Sequence, residues 1–350
     1  MKKLLILFVM LLLISGYIDA RIITVSNNQA IPAQFNLLQD ALDSAAVGDT
    51  IYVHHSHISY GNIVIRKRIH LFGEGRMTYL QSIVLSSADG TSTNNCSGSV
   101  IKGFYIARNN TYDASVCQEA SDATIISNLI FQRCFFESHF RFYNGNITRY
   151  HSSWLLRECV FAGNIYLGGL YYSDLYNQSN NMVFLNNLIY GYIHHSSAEH
   201  TFANNIFKGS SSYQAFNTVS NIIVENNIFN GPPPTGCSFC TFYNNLTSTN
   251  HTLPYGNNYG SNNIWNQSPL FVNANNYNFN WVDDYHLQST SPAKNAGTDG
   301  RDLGIYGGAI PFPDDYTFYP DIPYIQYFNI LNKVIGLNGY LIYDIKAKQK

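Results

Sequence analysis

The sequence predicts an all-β solenoid, a stack of similar coils built from short strands. Three observations carry that prediction: a recurring word built on an asparagine pair, apolar residues at fixed places around it, and a strand-favouring composition. The word is "NNLI" from Asn186, "NNIF" from Asn204 and again from Asn226, "NNLT" from Asn244 and "NNIW" from Asn262. Its second asparagine falls at 187, 205, 227, 245 and 263, in steps of 18, 22, 18 and 18 residues. Self-similarity at such a period marks a repeat architecture.

The same frame extends towards the N-terminus with other residues at the mark. "RECVF" places Cys159 there, "QRCFF" places Cys134 and "IKGFYI" places Gly103, at steps of 28, 25 and 31, so the early coils carry longer loops. Three residues before the mark stand Phe131, Leu156, Phe184, Phe202, Val224 and Phe242. One residue after it stand Phe135, Val160, Leu188, Ile206, Ile228 and Leu246, and two after it Phe136, Phe161, Ile189, Phe207, Phe229 and Thr247. A single coil of this size cannot bury its apolar face, whereas stacked coils bury one another's. No helical apolar period runs through the region.

Composition agrees. Charged residues are 12% of the chain, about half the usual share, while aromatics reach 15% with 27 Tyr and 22 Phe. Asn-, Ser- and Tyr-rich surfaces suit strands and turns. The formal net charge of −2 leaves no basic patch for a nucleic-acid partner.

Taken in order, the chain opens with Lys2 and Lys3, an apolar run over residues 4–14, then Ser15, Gly16 and a small residue, Ala20. That predicts an export signal over residues 1–20, shorter than the roughly 20 apolar residues a membrane span needs. The expected product is secreted or held at the cell surface, with no membrane span once the signal is removed. In "FNLLQDALDSAAVGDTIYV", Phe35, Leu37, Leu38, Ala41, Leu42 and Ala45 have helical spacing before Gly48–Asp49 and a strand. A helix there would cap the first coil, since an open stack exposes apolar side chains and strand edges. Strands over "NIVIRKRIHLFGEG" and the repeated coils follow, giving a solenoid domain over residues 21–310. Residues 311–350 turn Pro- and Tyr-rich and end in a hairpin about Asn338–Gly339, a small C-terminal β appendage.

Six cysteines suit an oxidising compartment. Cys237 and Cys240 form a lone CxxC, which predicts a local disulfide rather than a metal site. Cys96 and Cys117 bracket a polar loop that a second disulfide would close. Cys134 and Cys159 share one coil position, as an inter-coil disulfide or as two stacked buried thiols.

The helix followed by "VGDTIYV", then "IRKRIHLFGEG", "VIKGFYI" and the "NNIF" coils resemble the right-handed parallel β-helix of the pectin-lyase-like superfamily. The tail "SPLFVN…YHLQSTSPAKNAGTDGRDLGIYGG" is similar to the closing segment of secreted Bacteroidetes-type β-helix proteins. The resemblance covers about residues 22–310. It implies a right-handed single-stranded parallel β-helix with an N-terminal helical cap. It implies little about function, because the superfamily includes lyases, hydrolases, esterases, adhesins and scaffolds.

Its enzymes gather carboxylates, to bind Ca²⁺ beside an Arg base or to divide acid and base roles. Between residues 123 and 282 this chain has only Glu137, Glu158, Asp174, Glu199 and Glu225, and none of those constellations is matched. No cofactor is expected. Asp283–Asp284 and Asp299/Asp302 read as turn and cap residues, with Ca²⁺ as the alternative.

Counting five, seven and nine residues past the mark gives His139, Arg141 and Tyr143 in one coil, Asn164, Tyr166 and Gly168 in the next, and Tyr192, His194 and Ser196 in the third. Period-2 alternation points these outward, with coils about 4.8 Å apart. His195 and His200 fall at inward positions. Arg141, Tyr166 and His194, flanked by His139, Tyr143 and Tyr192, are the candidate ligand-binding strip. Arg141 would neutralise a uronate carboxylate, a tyrosine face would stack on a sugar, and Tyr166 or His194 would be the acid or base of a lyase. The expected function is contact with polysaccharide through the outer face of the coils. The alternatives are a polysaccharide lyase or hydrolase acting on a uronate glycan, and a structural or adhesive solenoid. Asn187, Asn205, Asn227, Asn245 and Asn263 are expected to form an inward ladder of amide hydrogen bonds, with Cys134 and Cys159 continuing it.

Overall fold

Backbone conformation at one corner sets the shape of every coil. The first residue of each pair, Asn186, Asn204, Asn226, Asn244 or Asn262, has φ between 52° and 59°. That is the left-handed region, which asparagine enters at less cost than most side chains. Arg133 and Glu158 take the same conformation in the two preceding coils, with φ of 53° and 55°. The corner bends the chain between two short strands, such as Ile223–Glu225 and Ile228–Asn230.

The computed structural model describes residues 20–87, 95–108, 114–118, 125–141, 151–168, 179–274 and 278–314, and the backbone of the strands Tyr324–Ile330 and Tyr343–Lys348. Residues 1–19 of the predicted signal, Tyr143 and the predicted turn at Asn338–Gly339 lie outside these residues. Successive coils pair in parallel, in an 18-stranded sheet that carries both strands flanking the corner and an 8-stranded sheet across the core. Phe131, Leu156, Phe184, Phe202, Val224 and Phe242 align in one register column. The architecture is an all-β, right-handed parallel β-helix.

Two apolar columns follow the corner and face opposite ways. The inner one, Phe136, Phe161, Ile189, Phe207 and Phe229, joins the central core. Its rings stack from coil to coil, with Phe136–Phe161 at 4.8 Å and Phe207–Phe229 at 4.6 Å. The outer one, Phe135, Val160, Leu188, Ile206, Ile228 and Leu246, is buried under Phe271, Tyr285, Leu303, Ile305 and Phe312. The chain after the last coil therefore returns along the outside of the stack. Each large apolar side chain buried in these columns contributes roughly 1.5–3 kcal/mol.

The second asparagines make a continuous run of amide bonds. Asn187 Nδ2 donates to Asn205 Oδ1 at 2.9 Å, and the same bond links Asn205 to Asn227, Asn227 to Asn245 and Asn245 to Asn263. Each amide also donates to the carbonyl three residues before the mark in the preceding coil, as Asn227 does to Phe202 O. Cys159 fits the run at both ends: its N–H donates to Asn187 Oδ1, and its thiol to Phe131 O. The first asparagines turn outward and hold the returning chain. Asn186 donates to Ile305 O and Gly307 O, Asn226 exchanges bonds with Thr298, and Asn244 donates to Ala296 O.

The helix is short, Leu38–Ser44, and buries Leu38, Ala41 and Leu42. Leu37, expected on its apolar face, precedes the first turn and is exposed. All six cysteines are buried free thiols, which corrects the disulfides expected at Cys237–Cys240 and Cys96–Cys117. Phe239 between Cys237 and Cys240 sits in the left-handed region, Cys237 Sγ meets the Tyr255 hydroxyl at 3.1 Å, and Cys240 Sγ donates to Ser238 O. Cys134 and Cys159 are stacked thiols that meet backbone carbonyls and each other, and burial pushes the Cys159 thiol well up. Asp299 and Asp302 accept backbone N–H bonds, with Lys294 on Asp302, while Asp283 accepts from Tyr285 and Asp284 from His286. Tyr324–Ile330 and Tyr343–Lys348 pair antiparallel. Among the described residues, no helix is long and apolar enough to cross a membrane.

Candidate functional site

The 8-stranded sheet presents the strip. Phe140, Ile165, Ile193 and Phe216 share one inward register, and Arg141, Tyr166, His194 and Asn217 share the next, outward one. At coil spacing these planar groups stack on one another. The Arg141 guanidinium carbon lies 5.2 Å from the Tyr166 ring centre, and Tyr166 stacks on His194 at 4.5 Å and 5°. Both faces of Tyr166 are thus covered, and neither is left for a sugar. Tyr192 packs on His194 at 4.6 Å, and His139 meets Tyr166 edge-on at 5.4 Å.

His194 departs furthest from expectation. It is 8% exposed rather than open to solvent. Burial first, then the neighbouring His195 and His139, hold its pKa down to about 4, so it is neutral near pH 7. Its Nδ1 faces the Asn217 amide at 3.3 Å. A buried neutral ring between two others is poorly placed for proton exchange with a polymer. His195, expected inward, is half-exposed with φ of 47°, because the strand breaks its alternation there. His200 is buried; Met182 N–H donates to its Nδ1, and its Nε2 lies 2.7 Å from the Ser196 hydroxyl.

Among the described residues, a concave feature lies beside the strip, where the outer strands turn into the 8-stranded sheet. It is a cleft of about 620 Å³, a size suited to several sugar rings. Gly191 and Gly209 contribute bare backbone to it. A Cβ at Gly191 would lie 2.2 Å from Gly163 O, so only glycine lets the coils approach there. One wall is a band of rings: Tyr105 stacks on Phe135 at 4.8 Å, and Phe135 packs on Phe279 and Trp281 at 5.1 and 5.2 Å. Tyr190 meets Phe279 edge-on, and Tyr192 stacks on the exposed Tyr213 at 5.8 Å. Glu137, Asn164, Gln214 and Asn278 supply polar atoms. Tyr192, Tyr213 and Gln214 also line an adjoining hollow of about 420 Å³.

Of the described strip residues, Tyr192 lines this cleft, and His139, Arg141, Tyr166 and His194 are not among its described lining residues. Among the described residues, the strip is assembled as a stacked column on the sheet face. The aromatic cleft escaped sequence reasoning because Phe279 and Trp281 come from the returning chain, more than one hundred residues after Phe135. One signal was present: apolar residues at two consecutive places after the mark require one column to face outward and be covered.

No family model and no curated protein sequence matches the chain. Among solved structures, it is similar to a pectate lyase (Pel9A) at 13% identity, with a TM-score of 0.51 over 82% of this chain and 96% of that one. A pectin methylesterase from Aspergillus niger overlaps 72% of this chain and 87% of its own at 14% identity, with a TM-score of 0.36. At these identities the likeness extends to the fold. The protein is a right-handed parallel β-helix of pectin-lyase-like fold.

Proposed function

We propose that this is an exported β-helix protein that binds polysaccharide along the outer face of its coils. The observation that carries this is the cleft at the coil corner, with aromatic rings on its wall and neutral amides at its edge. Rings offer flat apolar faces to the C–H face of a pyranose, and a few polar groups set its orientation. The activity named for the structurally similar pectate lyase adds support for a glycan partner. Binding rather than bond cleavage is the proposed role, because Glu137 is the one carboxylate among the described lining residues. Glycoside hydrolysis ordinarily needs a pair.

Affinity electrophoresis through gels containing soluble polysaccharides tests the reading. Tyr213 is 60% exposed, so Tyr213→Ala removes a cleft ring without opening the core. It is expected to weaken binding about five- to tenfold, as the loss of one stacked ring would. Ultraviolet absorbance of unsaturated product should stay flat with uronate polymers. Equal binding by Tyr213→Ala and wild type would remove the cleft from the proposal.

A further inference from the structure

We infer that the cleft selects uncharged glycan chains, neutral hexose polymers, over polyuronates. The inference rests on the polysaccharide-binding proposal and specifies its ligand. A uronate leaves water favourably only if an opposite charge, as well as hydrogen bonds, replaces its hydration. The described lining residues include no Lys, Arg or His, and their one charge, Glu137, has the sign of a uronate.

Two neighbouring cations are engaged with ring faces. Arg141 lies on the Tyr166 ring, outside the cleft. The Arg76 guanidinium carbon sits 5.2 Å from the Trp281 ring centre, and Arg76 is not a lining residue. What the cleft does offer is apolar ring surface together with Asn164, Gln214 and Asn278. Such amides both donate to and accept from hydroxyls, which is how a neutral sugar presents itself.

The test runs wild type, Tyr213→Ala, Glu137→Gln and Arg76→Gln through gels holding neutral β-glucan, galactan or mannan, polygalacturonate, or chitosan, at low and high salt. The expected result is retardation by at least one neutral polymer, insensitive to salt and weakened by Tyr213→Ala. Polygalacturonate should bind at least about tenfold more weakly, a gap that Glu137→Gln narrows as the like charge is removed. Arg76→Gln should leave neutral binding unchanged. Polygalacturonate retarding wild type more than any neutral polymer, and losing that with Tyr213→Ala or Arg76→Gln, would overturn the inference while leaving polysaccharide binding intact. Tighter, salt-sensitive retention by chitosan would overturn it too, by making Glu137 the main recognition element. Silence with every polymer would defeat the polysaccharide proposal itself.

Discussion

Asn227 shows how much one side chain carries in this architecture. Its amide donates to Phe202 O, Glu225 O and Asn245 Oδ1, and its oxygen accepts the backbone and side-chain N–H groups of Asn205. Asn227→Leu keeps the volume but strands buried polar groups on both neighbouring coils, at about 1–3 kcal/mol each. A loss of about 3–5 kcal/mol in urea denaturation is expected, with glycan affinity unchanged; wild-type stability in this variant would show that the amide run is dispensable. Local repetition made this second asparagine legible in the sequence. The outward role of the first was not, because Asn226 meets Thr298 across 72 residues, and such contacts leave no period to read. Histidines give the residue scale a pH dependence. Burial holds His200 down to about 3, and burial with neighbouring histidines holds His194 down to about 4, against about 6.5 in the unfolded chain. The folded protein keeps both neutral, while the unfolded chain takes up protons below that value. Their contribution is therefore complete above about pH 6.5 and is lost towards pH 4 and 3, by up to about 1.4 kcal/mol per pH unit for each. Urea midpoints at pH 7 and pH 5 should show His200→Gln losing about 2 kcal/mol less than wild type over that interval.

Among elements, the returning chain after the last coil does two jobs. It covers the outer apolar column with Phe271, Tyr285, Leu303, Ile305 and Phe312, and it lays Phe279 and Trp281 against Phe135 to build the cleft wall. Beneath the cover, Tyr190 and Tyr285 join hydroxyls, Tyr285 donates to Asp283, and the buried Lys208 donates to Ala274 O. Burial lowers the Lys208 pKa and raises that of Asp283, so neither charge is held cheaply. That polar layer ties the segment to the coils in one register. Alternation along the strands located Arg141, Tyr166 and His194 in a common column from sequence alone. It could not show that planar groups one coil apart become each other's stacking partners. The same spacing that makes a sheet face look like a binding strip closes the ring faces within it. The proposed site lies instead where the repeat is interrupted, beside a segment that does not belong to it.

At the scale of the whole molecule, a parallel stack gains stability from each coil's contacts with the next, but this one also depends on its outer cover. Phe312 is the last described side chain in the outer cluster, and its N–H donates to Ile305 O. A chain ending after Asp314 retains every described contact of that cluster, whereas one ending after Gln267 lacks the described cover over the row Phe135, Val160, Leu188, Ile206, Ile228 and Leu246. Burial of such a row is worth roughly 1.5–3 kcal/mol per large side chain. A contiguous apolar patch beyond a few hundred Å² also promotes association. The chain ending at Asp314 is therefore expected to stay monodisperse, with a melting temperature within about 5 °C of full length, a shift of roughly 1–2 kcal/mol at this size. The chain ending at Gln267 is expected to aggregate or to lose its cooperative transition. Circular dichroism melts and light scattering on the two truncations separate these outcomes. If the longer truncation also failed, residues 315–350 would be part of the folding unit rather than an appendage to it.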